Sequence, residues 1–324
     1  MKKEGPNKLK LFSQIHNVLR RKHYSLRTEK TYISWIKRYV HYHNMKHPRQ
    51  MGKKEIERFL TYLAVDRKVS SSTQNQAFNA ILFLYKNVLE IDLADTINAA
   101  RSKKPVNIPV VMSHAEAMKV IESMDGTYQL MVKLLYGSGL RLMECVRLRV
   151  KDIDFSMNSI IVHDGKGSKS RVVMLPESLK PGLRNHLNRV KKLHDYDRSR
   201  GYGKVYLPYA LDRKYPNSSE QWEWQFLFPA KEVSVDPISK QTRRHHVHQS
   251  NIQRAVKKAV RISNIHKPIG CHTFRHSFAT RLLENGYDIR TVQELLGHKN
   301  VNTTMLYTHV MNKGALAVKS PLDG

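Results

Sequence analysis

The sequence is poor in cysteine, in acidic residues and in long apolar runs. Its 324 residues include two cysteines, Cys145 and Cys271, too few for a disulfide framework or a cysteine-based zinc module. No stretch approaches the ~18 consecutive apolar residues of a membrane-spanning helix, and the first ten residues lack the apolar segment of a signal peptide. These absences favour a soluble protein of the cytoplasm.

The excess of basic residues is the strongest feature of the composition. Lysine and arginine number 56 against 27 aspartate and glutamate, a formal net charge of +29. Hydrophobic residues make up 40% of the chain, which excludes a disordered basic tail. Residues 1–105 hold 22 basic and 8 acidic side chains, and residues 106–324 hold 34 and 19. We therefore expect both parts to face a polyanion, nucleic acid first. A clamp closing from two sides is the simplest geometry, although a merely soluble basic surface gives the same count.

A charged segment with two prolines, residues 101–109, divides the chain into 1–104 and 105–324. Before it, apolar residues recur at helical spacing behind serines at 70–72 that are typical of a helix cap. This pattern predicts a bundle of about four helices, with basic side chains mostly on its solvated face.

After the linker, the pattern predicts a mainly helical domain with a small antiparallel β-sheet. A polar and aromatic stretch at about 196–245 shows little periodicity and is interpreted as an insert. The predicted helices lie near 113–123, 127–148, 178–195, 249–263, 273–285 and 289–296, and the predicted strands near 152–155, 159–163 and 171–175, with a hairpin turn at 164–170.

Two familiar cofactor motifs are absent. The glycine-rich turn at 165–170 lacks the Gly-Lys-Ser/Thr of a phosphate loop, so ATP use is not expected. His272 and His276 have the spacing of a zinc-protease helix, but no glutamate follows His272, and Arg275 between them would repel a cation. His245, His246 and His248 could bind a metal weakly, but they directly follow Arg243 and Arg244. We therefore expect no metal and no cofactor.

The C-terminal ninety residues combine several polar residues at specific positions. His272 and Arg275 lie on the first turn of a predicted helix, where they can face one ligand, and a helix N-terminus suits a phosphate. His298 follows Gly297, a predicted helix cap, and Tyr307 comes nine residues later. Taken singly, the tyrosine is typical of a packed aromatic and the histidine of a helix-end hydrogen bond. The combination of His-x-x-Arg, Leu-Gly-His and a tyrosine nine residues later is far less likely to arise by chance than any one of these residues alone.

A further arginine follows a glycine-rich break in the helical pattern. The segment Tyr136-Gly-Ser-Gly-Leu-Arg141 allows a sharp turn that would direct Arg141 inward. A surface arginine after a turn is the alternative, and this motif alone does not exclude it.

In order along the chain, Gly-x-Gly-Leu-Arg-x-x-Glu, the Gly-Lys-Gly hairpin, His-x-x-Arg, Leu-Gly-His and a following tyrosine resemble the tyrosine recombinase family. The resemblance covers essentially the whole chain. It implies a helical, SAM-like core-binding domain at 1–104 and a catalytic domain at 105–324. Within the family, the segment 210–229 and the C-terminal end resemble integron integrases.

The resemblance implies DNA strand exchange by transesterification, without ATP or metal. Tyr307 would attack a phosphodiester and form a 3′-phosphotyrosyl bond, which stores the bond energy for rejoining. Arg141 and Arg275 match the family's arginine pair, each able to fork onto the non-bridging oxygens.

Proton transfer and phosphate binding would involve three further residues. Lys166 matches the family's general acid for the leaving 5′-oxygen, and Lys169 is its local competitor. His272 is expected to take the tyrosine proton, and His298 to hydrogen-bond the phosphate.

Integron integrases act on duplex sites and on folded single-stranded sites with extruded bases. Trp224, with Pro237, His245 and His246, would grip such a base, since stacking tolerates any sequence. Core packing of Trp224 is the alternative.

The implied partners are DNA and further copies of the chain. A homo-tetramer would assemble on DNA, with residues 311–324 docking on a neighbouring subunit, in the bacterial cytoplasm and associated with the nucleoid.

Two rival functions remain at this stage. A type IB topoisomerase uses a similar set of residues to relax supercoils, and joining two different DNA molecules would distinguish the two. A catalytically inactive DNA-binding protein on the same fold would form no covalent adduct with DNA.

Overall fold

The chain divides into two compact units, Met1–Val106 and Asn107–Gly324. The structure is a computed structural model that describes residues 6–92, 109–163, 170–207, 211–237 and 239–307. Among the described helices, none combines the length and the apolar character needed to cross a lipid bilayer.

The N-terminal unit is a helical bundle, as predicted. Ser25 and Ser70 cap two of its helices, each accepting a hydrogen bond from the backbone N–H three residues later. The fourth helix continues directly into a π-helical turn, Leu84–Leu89. The α-helices are α1 Pro6–Arg21, α2 Leu26–Tyr42, α3 Lys53–Val65 and α4 Ser71–Phe83.

Two tyrosine hydroxyls join the helices of this unit inside its apolar core. Tyr39 and Tyr85 are almost fully buried, and their hydroxyls lie 3.0 Å apart. The Tyr85 hydroxyl also lies 3.0 Å from the carbonyl of Pro48 and 3.2 Å from that of Met51. Because a buried hydroxyl without a partner is costly, these bonds allow two large polar rings to contribute to the core.

The C-terminal unit is mainly helical. One buried apolar core runs through most of its helices, and a smaller cluster joins α11, α12 and the tyrosine near the end of the described chain. The helices are α5 His114–Glu122, α6 Gly126–Gly137, α7 Leu142–Arg147, α8 Lys180–Ser199, α9 Leu211–Lys214, α10 Gln249–Ile262, α11 Cys271–Glu284, α12 Ile289–Leu296 and α13 Asn302–Met305.

Two small antiparallel sheets complete the C-terminal unit. The first has the order β1-β2-β3, and the buried pair Ile160 and Val173 faces the core. The second is a hairpin in which Ser234 pairs with Arg243. The strands are β1 Ile153–Asp154, β2 Ser159–Val162, β3 Arg171–Met174, β4 Ser234–Val235 and β5 Thr242–Arg243.

Three predicted elements differ from the structure. The helix expected at 127–148 is two helices, α6 and α7, because the chain turns at Ser138 and Gly139. The helix expected at 178–195 continues to Ser199, so the predicted insert at 196–245 begins inside it. The insert also has structure of its own, namely α9, a 3₁₀ turn at Trp222–Trp224 and the β4–β5 hairpin. These elements are too short for an apolar period to reveal them.

The turn between α6 and α7 requires glycine for two reasons. Gly139 has φ +63°, in the left-handed region, and a Cβ there would lie 2.5 Å from ring atoms of Phe278 on α11. Backbone and aromatic ring therefore pack directly, and the turn brings the start of α7 next to α11.

Replacing Gly139 with alanine should lower the free energy of unfolding by ~2–4 kcal/mol, because the left-handed backbone and the clash with Phe278 both add to the cost. The control is Gly201→Ala, where φ is +78° and no heavy atom lies within 4 Å of the added Cβ. That control should lose only ~1–2 kcal/mol. Chemical denaturation measures both, and equal losses would contradict the packing argument.

Candidate active site

Three arginine side chains converge on the C-terminal end of α12. This helix is capped by Gly297 at φ +61°, and its last carbonyls have no partners within the helix. The guanidinium groups donate hydrogen bonds to these carbonyls and lie at the negative end of the helix dipole. Arg171 Nε donates to the Leu295 carbonyl at 2.9 Å, Arg275 Nη2 to that of Leu296 at 2.5 Å, and Arg141 Nη2 to that of Gly297 at 3.3 Å.

The same three arginines surround one carboxylate, Glu144. Arg171 binds both carboxylate oxygens, at 2.9 and 2.6 Å. Arg141 contacts the carboxylate with Nη1 at 2.7 Å and with its backbone N–H at 2.8 Å, and Arg275 Nη1 lies 3.8 Å away. Burial alone would raise the pKa of Glu144, but the hydrogen bonds and charge of Arg171, together with Arg141, lower it to about 2. The carboxylate is therefore fully ionised at neutral pH.

Arg275 is the most deeply placed of the three. Arg275 is the fifth residue of α11 and is 3% exposed, and its Nη1 donates to the Gly139 carbonyl at 2.5 Å. Burial and the charge of Arg141 lower its pKa to about 9, so the side chain stays charged at neutral pH. Three guanidinium groups against one carboxylate leave a net charge of two positive units, which suits an anion such as a phosphodiester.

His298 lies against this arginine group. Its Nε2 is 3.2 Å from Arg275 Nη2, and its Nδ1 is 2.9 Å from Thr304 Oγ1. Since a guanidinium can only donate, Nε2 accepts and Nδ1 carries the proton. Burial and the charges of Arg275 and Arg141 lower the pKa of His298 to about 4, consistent with a neutral ring.

Tyr307 is the aromatic side chain of the site. It is 3% exposed and packs with Phe278 and Val292. Its ring stacks on His298, with centroids 6.3 Å apart and planes 20° apart. Its hydroxyl lies 2.9 Å from His276 Nδ1. Burial raises the pKa of Tyr307, and the charges of the nearby arginines oppose that rise.

The structure therefore brings together Arg141, Arg275, His298 and Tyr307, four of the residues singled out in the sequence. His272 is placed differently from the expectation. It lies exposed at the start of α11, its ring centroid is 6.5 Å from that of His276, and it is His276 that contacts the tyrosine hydroxyl. The reason is the helix period, which puts His276 one turn further along the same face.

Lys166 and Lys169 lie outside the described residues. The residues on either side of the segment 164–169 are described. His163 Nδ1 is 3.1 Å from Ser170 Oγ across the base of the hairpin, and His163 Nε2 is 3.1 Å from Asp152 Oδ1. Because Asp152 is buried, this chain of polar contacts links the base of the turn to the core.

The four insert residues do not form a single cluster. Trp224 is half-buried, with Lys151 Nζ 3.1 Å above its ring centroid and the Arg149 guanidinium at 5.8 Å. His245 and His246 contact each other, with centroids 4.1 Å apart, and both rings lie 5.3 Å from Phe226. Pro237 is exposed in the turn of the β4–β5 hairpin.

Arginines hold the insert together from inside. Arg149, 8% exposed, joins the two aromatic groups, since its guanidinium lies over Phe226 at 4.7 Å and donates to the carbonyls of Trp224 and Tyr206. Arg244 forms a two-pronged ion pair with Asp197 of α8, at 2.5 and 2.8 Å. The guanidinium groups of Arg149 and Arg244 are therefore bound by other groups of the protein.

Two site residues were missed in the sequence, and both left a signal. Arg171 shares a strand face with the buried Val173, and a charged residue on a buried face implies an internal partner. His276 follows His272 at a spacing of four, so the two share a helix face.

Among the described residues, no three His, Cys, Asp or Glu side chains are grouped so as to hold a metal ion.

Comparisons with known proteins agree on one family. Residues 104–313 match the "Phage integrase family", and residues 11–95 match "Phage integrase, N-terminal SAM-like domain". The chain is 46% identical to an "Integrase/recombinase" of Escherichia coli over 315 residues, which is 97% of this chain and 94% of that protein. It is 28% identical to "Tyrosine recombinase XerC" of Pediococcus pentosaceus, covering 79% of this chain and 77% of that one.

A solved structure supports the fold. The crystal structure of XerH site-specific recombinase bound to palindromic difH substrate, a post-cleavage complex, matches with a TM-score of 0.62 and 20% identity. The match covers 93% of this chain and 82% of that one. The expected class, mainly helical with a small antiparallel sheet, is confirmed.

Replacing Glu144 with glutamine should destabilise the protein by about 3 kcal/mol at pH 7, because the carboxylate pKa is lowered from 4.5 to about 2 on folding. A lowered folded-state pKa adds stability above pH 4.5, and this is lost as the pH falls towards 2. The difference between wild type and variant should therefore shrink over that range in urea titrations. Glu177→Gln, on a side chain 74% exposed, is the control and should change little at any pH.

Proposed function

The chain belongs to the phage integrase family of tyrosine recombinases, and from that membership we propose how its residues divide the work of cutting and rejoining DNA. As a member of this family it is a tyrosine-type, site-specific DNA recombinase. We assign residues 105–324 to catalysis and residues 1–104, the SAM-like part, to holding DNA.

Tyr307 is proposed as the nucleophile. Its oxygen attacks the scissile phosphorus, a bond forms between phosphorus and the tyrosine oxygen, and the bond to the 5′-oxygen breaks. One feature of the site carries this assignment: a buried tyrosine stacks on His298, which contacts Arg275 in an arginine group that has two more positive charges than negative ones.

Arg141 and Arg275 are proposed to bind the non-bridging oxygens of the phosphate. Negative charge grows on these oxygens in the five-coordinate transition state, and fixed cations stabilise it most there. If one such contact contributes ~3–4 kcal/mol in the transition state, loss of either arginine slows cleavage by ~100- to 1,000-fold. Arg171 contributes indirectly, because its two hydrogen bonds hold the Glu144 carboxylate that Arg141 also contacts.

The leaving 5′-oxygen needs a proton, and Lys166 is proposed to supply it. The sequence supports this assignment by placing Lys166 in the glycine-rich turn between β2 and β3. His298, which contacts Arg275 through Nε2, is proposed to assist phosphate binding through that arginine.

We further assign the enzyme to the integron integrase branch, acting on folded single-stranded sites as well as duplex ones. The aromatic groups of the insert support this. A base stacked on Trp224 would have the Lys151 ammonium close by to meet its phosphate. Exchange between two duplexes cuts four strands, so four subunits assemble on DNA, with residues 311–324 docking on a neighbour.

Replacing Tyr307 with phenylalanine should abolish covalent adducts while leaving DNA binding within about twofold, because only the nucleophilic oxygen is lost. The measurement is a denaturing gel of labelled duplex and hairpin sites mixed with protein. Tyr287→Phe, at an exposed tyrosine, is the control and should keep full activity. An adduct formed by the Tyr307 variant would refute the assignment, and relaxation without joining of two DNA molecules would favour a topoisomerase.

Replacing Trp224 with alanine should weaken hairpin-site binding by roughly 5- to 150-fold, the loss of one base stacked at ~1–3 kcal/mol, and should affect duplex binding much less. Trp222→Ala is the matched control, since Trp222 lies in the same 3₁₀ turn but contacts His194 and Lys191 instead. Titrations of both sites at one salt concentration measure the difference. Equal losses on hairpin and duplex would contradict the stacking role.

A further inference from the structure

Among the described residues, one histidine lies close to the Tyr307 hydroxyl, and it belongs to α11. His276 Nδ1 lies 2.9 Å from the tyrosine oxygen, and the two ring centroids are 5.5 Å apart at an angle of 48°. The histidine is half-buried, and its backbone is fixed in the middle of a helix. A side chain in this position touches the oxygen that must lose a proton before or during attack on phosphorus.

The sequence pattern alone favours His272 for this role. In the structure, His272 is exposed at the start of α11, one helical turn before His276. The ring nearest the nucleophile is thus four residues beyond the histidine of the His-x-x-Arg motif. Geometry precedes pKa in choosing a proton acceptor, because transfer requires hydrogen-bonding distance.

We propose that His276 accepts the proton of the Tyr307 hydroxyl during DNA cleavage and returns it during rejoining. This rests on the proposed role of Tyr307 as nucleophile. In cleavage, the tyrosine oxygen bonds to phosphorus, its proton moves to His276 Nδ1, and the 5′-oxygen leaves with a proton from the general acid. In rejoining, a 5′-hydroxyl returns its proton to the general acid as its oxygen bonds to phosphorus, the bond to the tyrosine oxygen breaks, and His276 protonates the leaving phenoxide.

The charges around His276 explain why it is available as an acceptor. Burial, His272 on the same helix and Arg275 lower the pKa of His276 to about 4, so the ring is neutral at neutral pH. Among the described residues, the other titratable groups facing it are Tyr307 and His298. A phosphodiester bound by the arginines brings a negative charge next to them, which offsets their effect and strengthens His276 as a base. Proton acceptance is thereby coupled to correct placement of DNA.

The first test is single-turnover cleavage of a duplex site with a nick beside the scissile phosphate, which traps the adduct. His276→Asn keeps a group able to hydrogen-bond the tyrosine but unable to take its proton. Adduct formation should slow by ~100- to 10,000-fold, the usual contribution of a general base, with DNA binding within twofold. His266→Asn, at an exposed histidine of the same unit, should be unchanged.

The second test distinguishes loss of the proton acceptor for Tyr307 from loss of the proton donor for the leaving 5′-oxygen. With sulfur in place of the bridging 5′-oxygen, the leaving thiolate needs no proton. Lys166→Ala should regain most of its rate on this substrate, whereas His276→Asn should stay slow. The pH profile gives a third readout: the wild-type rate should rise with pH as the acceptor loses its proton, and this rise should vanish in His276→Asn but persist in His272→Asn.

Several outcomes would overturn the proposal. These are wild-type cleavage by His276→Asn, recovery of its rate on the sulfur substrate, or a pH rise that disappears in the His272 variant instead. If the asparagine variant unfolds at a lower denaturant concentration than wild type, His276→Gln replaces it in the same tests. Failure of the proposed function looks different, because adducts would then form with Tyr307→Phe while His276 is intact.

Discussion

The Glu144 carboxylate is the interaction on which the site depends. Three guanidinium groups packed together repel one another, and a buried cation without a partner is unstable. Glu144 offsets one of the three charges and fixes two arginines through hydrogen bonds of 2.6–2.9 Å. The three terminal carbonyls of α12 hold all three arginines from the other side. The arginines are therefore held in fixed positions by protein oxygens while keeping a surplus of positive charge.

Elements far apart in sequence meet at this carboxylate because the local structure of each one places a charged or aromatic side chain there. Glu144 is three residues after Arg141 and caps the start of α7, which requires the turn at Gly139. Arg275 is the fifth residue of α11, and Arg171 begins β3. Tyr307 joins through the packing of its ring on His298 and Phe278. A change in any one of these local structures displaces a charged group.

The sequence predicted the helical class and the apolar core of the N-terminal bundle. Its motifs of specific spacing also contain four residues that the structure brings together, Arg141, Arg275, His298 and Tyr307. It failed where position depends on tertiary packing. The glycines before Arg141 indicated a break, but only contact with Phe278 explains where the helix ends. Motif spacing favoured His272, whereas the path of the chain after α12 brings Tyr307 to His276. The short elements of the insert are held by Arg149 and Arg244 rather than by an apolar pattern.

The inward-facing arginines also reduce how many of the 56 lysines and arginines can contribute to DNA affinity. Arg149 and Arg243 are each 8% exposed, and Arg243 and Arg244 are paired with aspartates. Such side chains release no counterions from DNA, because they contact protein carboxylates, carbonyls and rings instead of phosphates. The salt dependence of binding therefore reflects only those basic residues whose side chains contact DNA phosphates. A homologue with the same number of basic residues but without these internal pairs would bind DNA with a steeper dependence on salt.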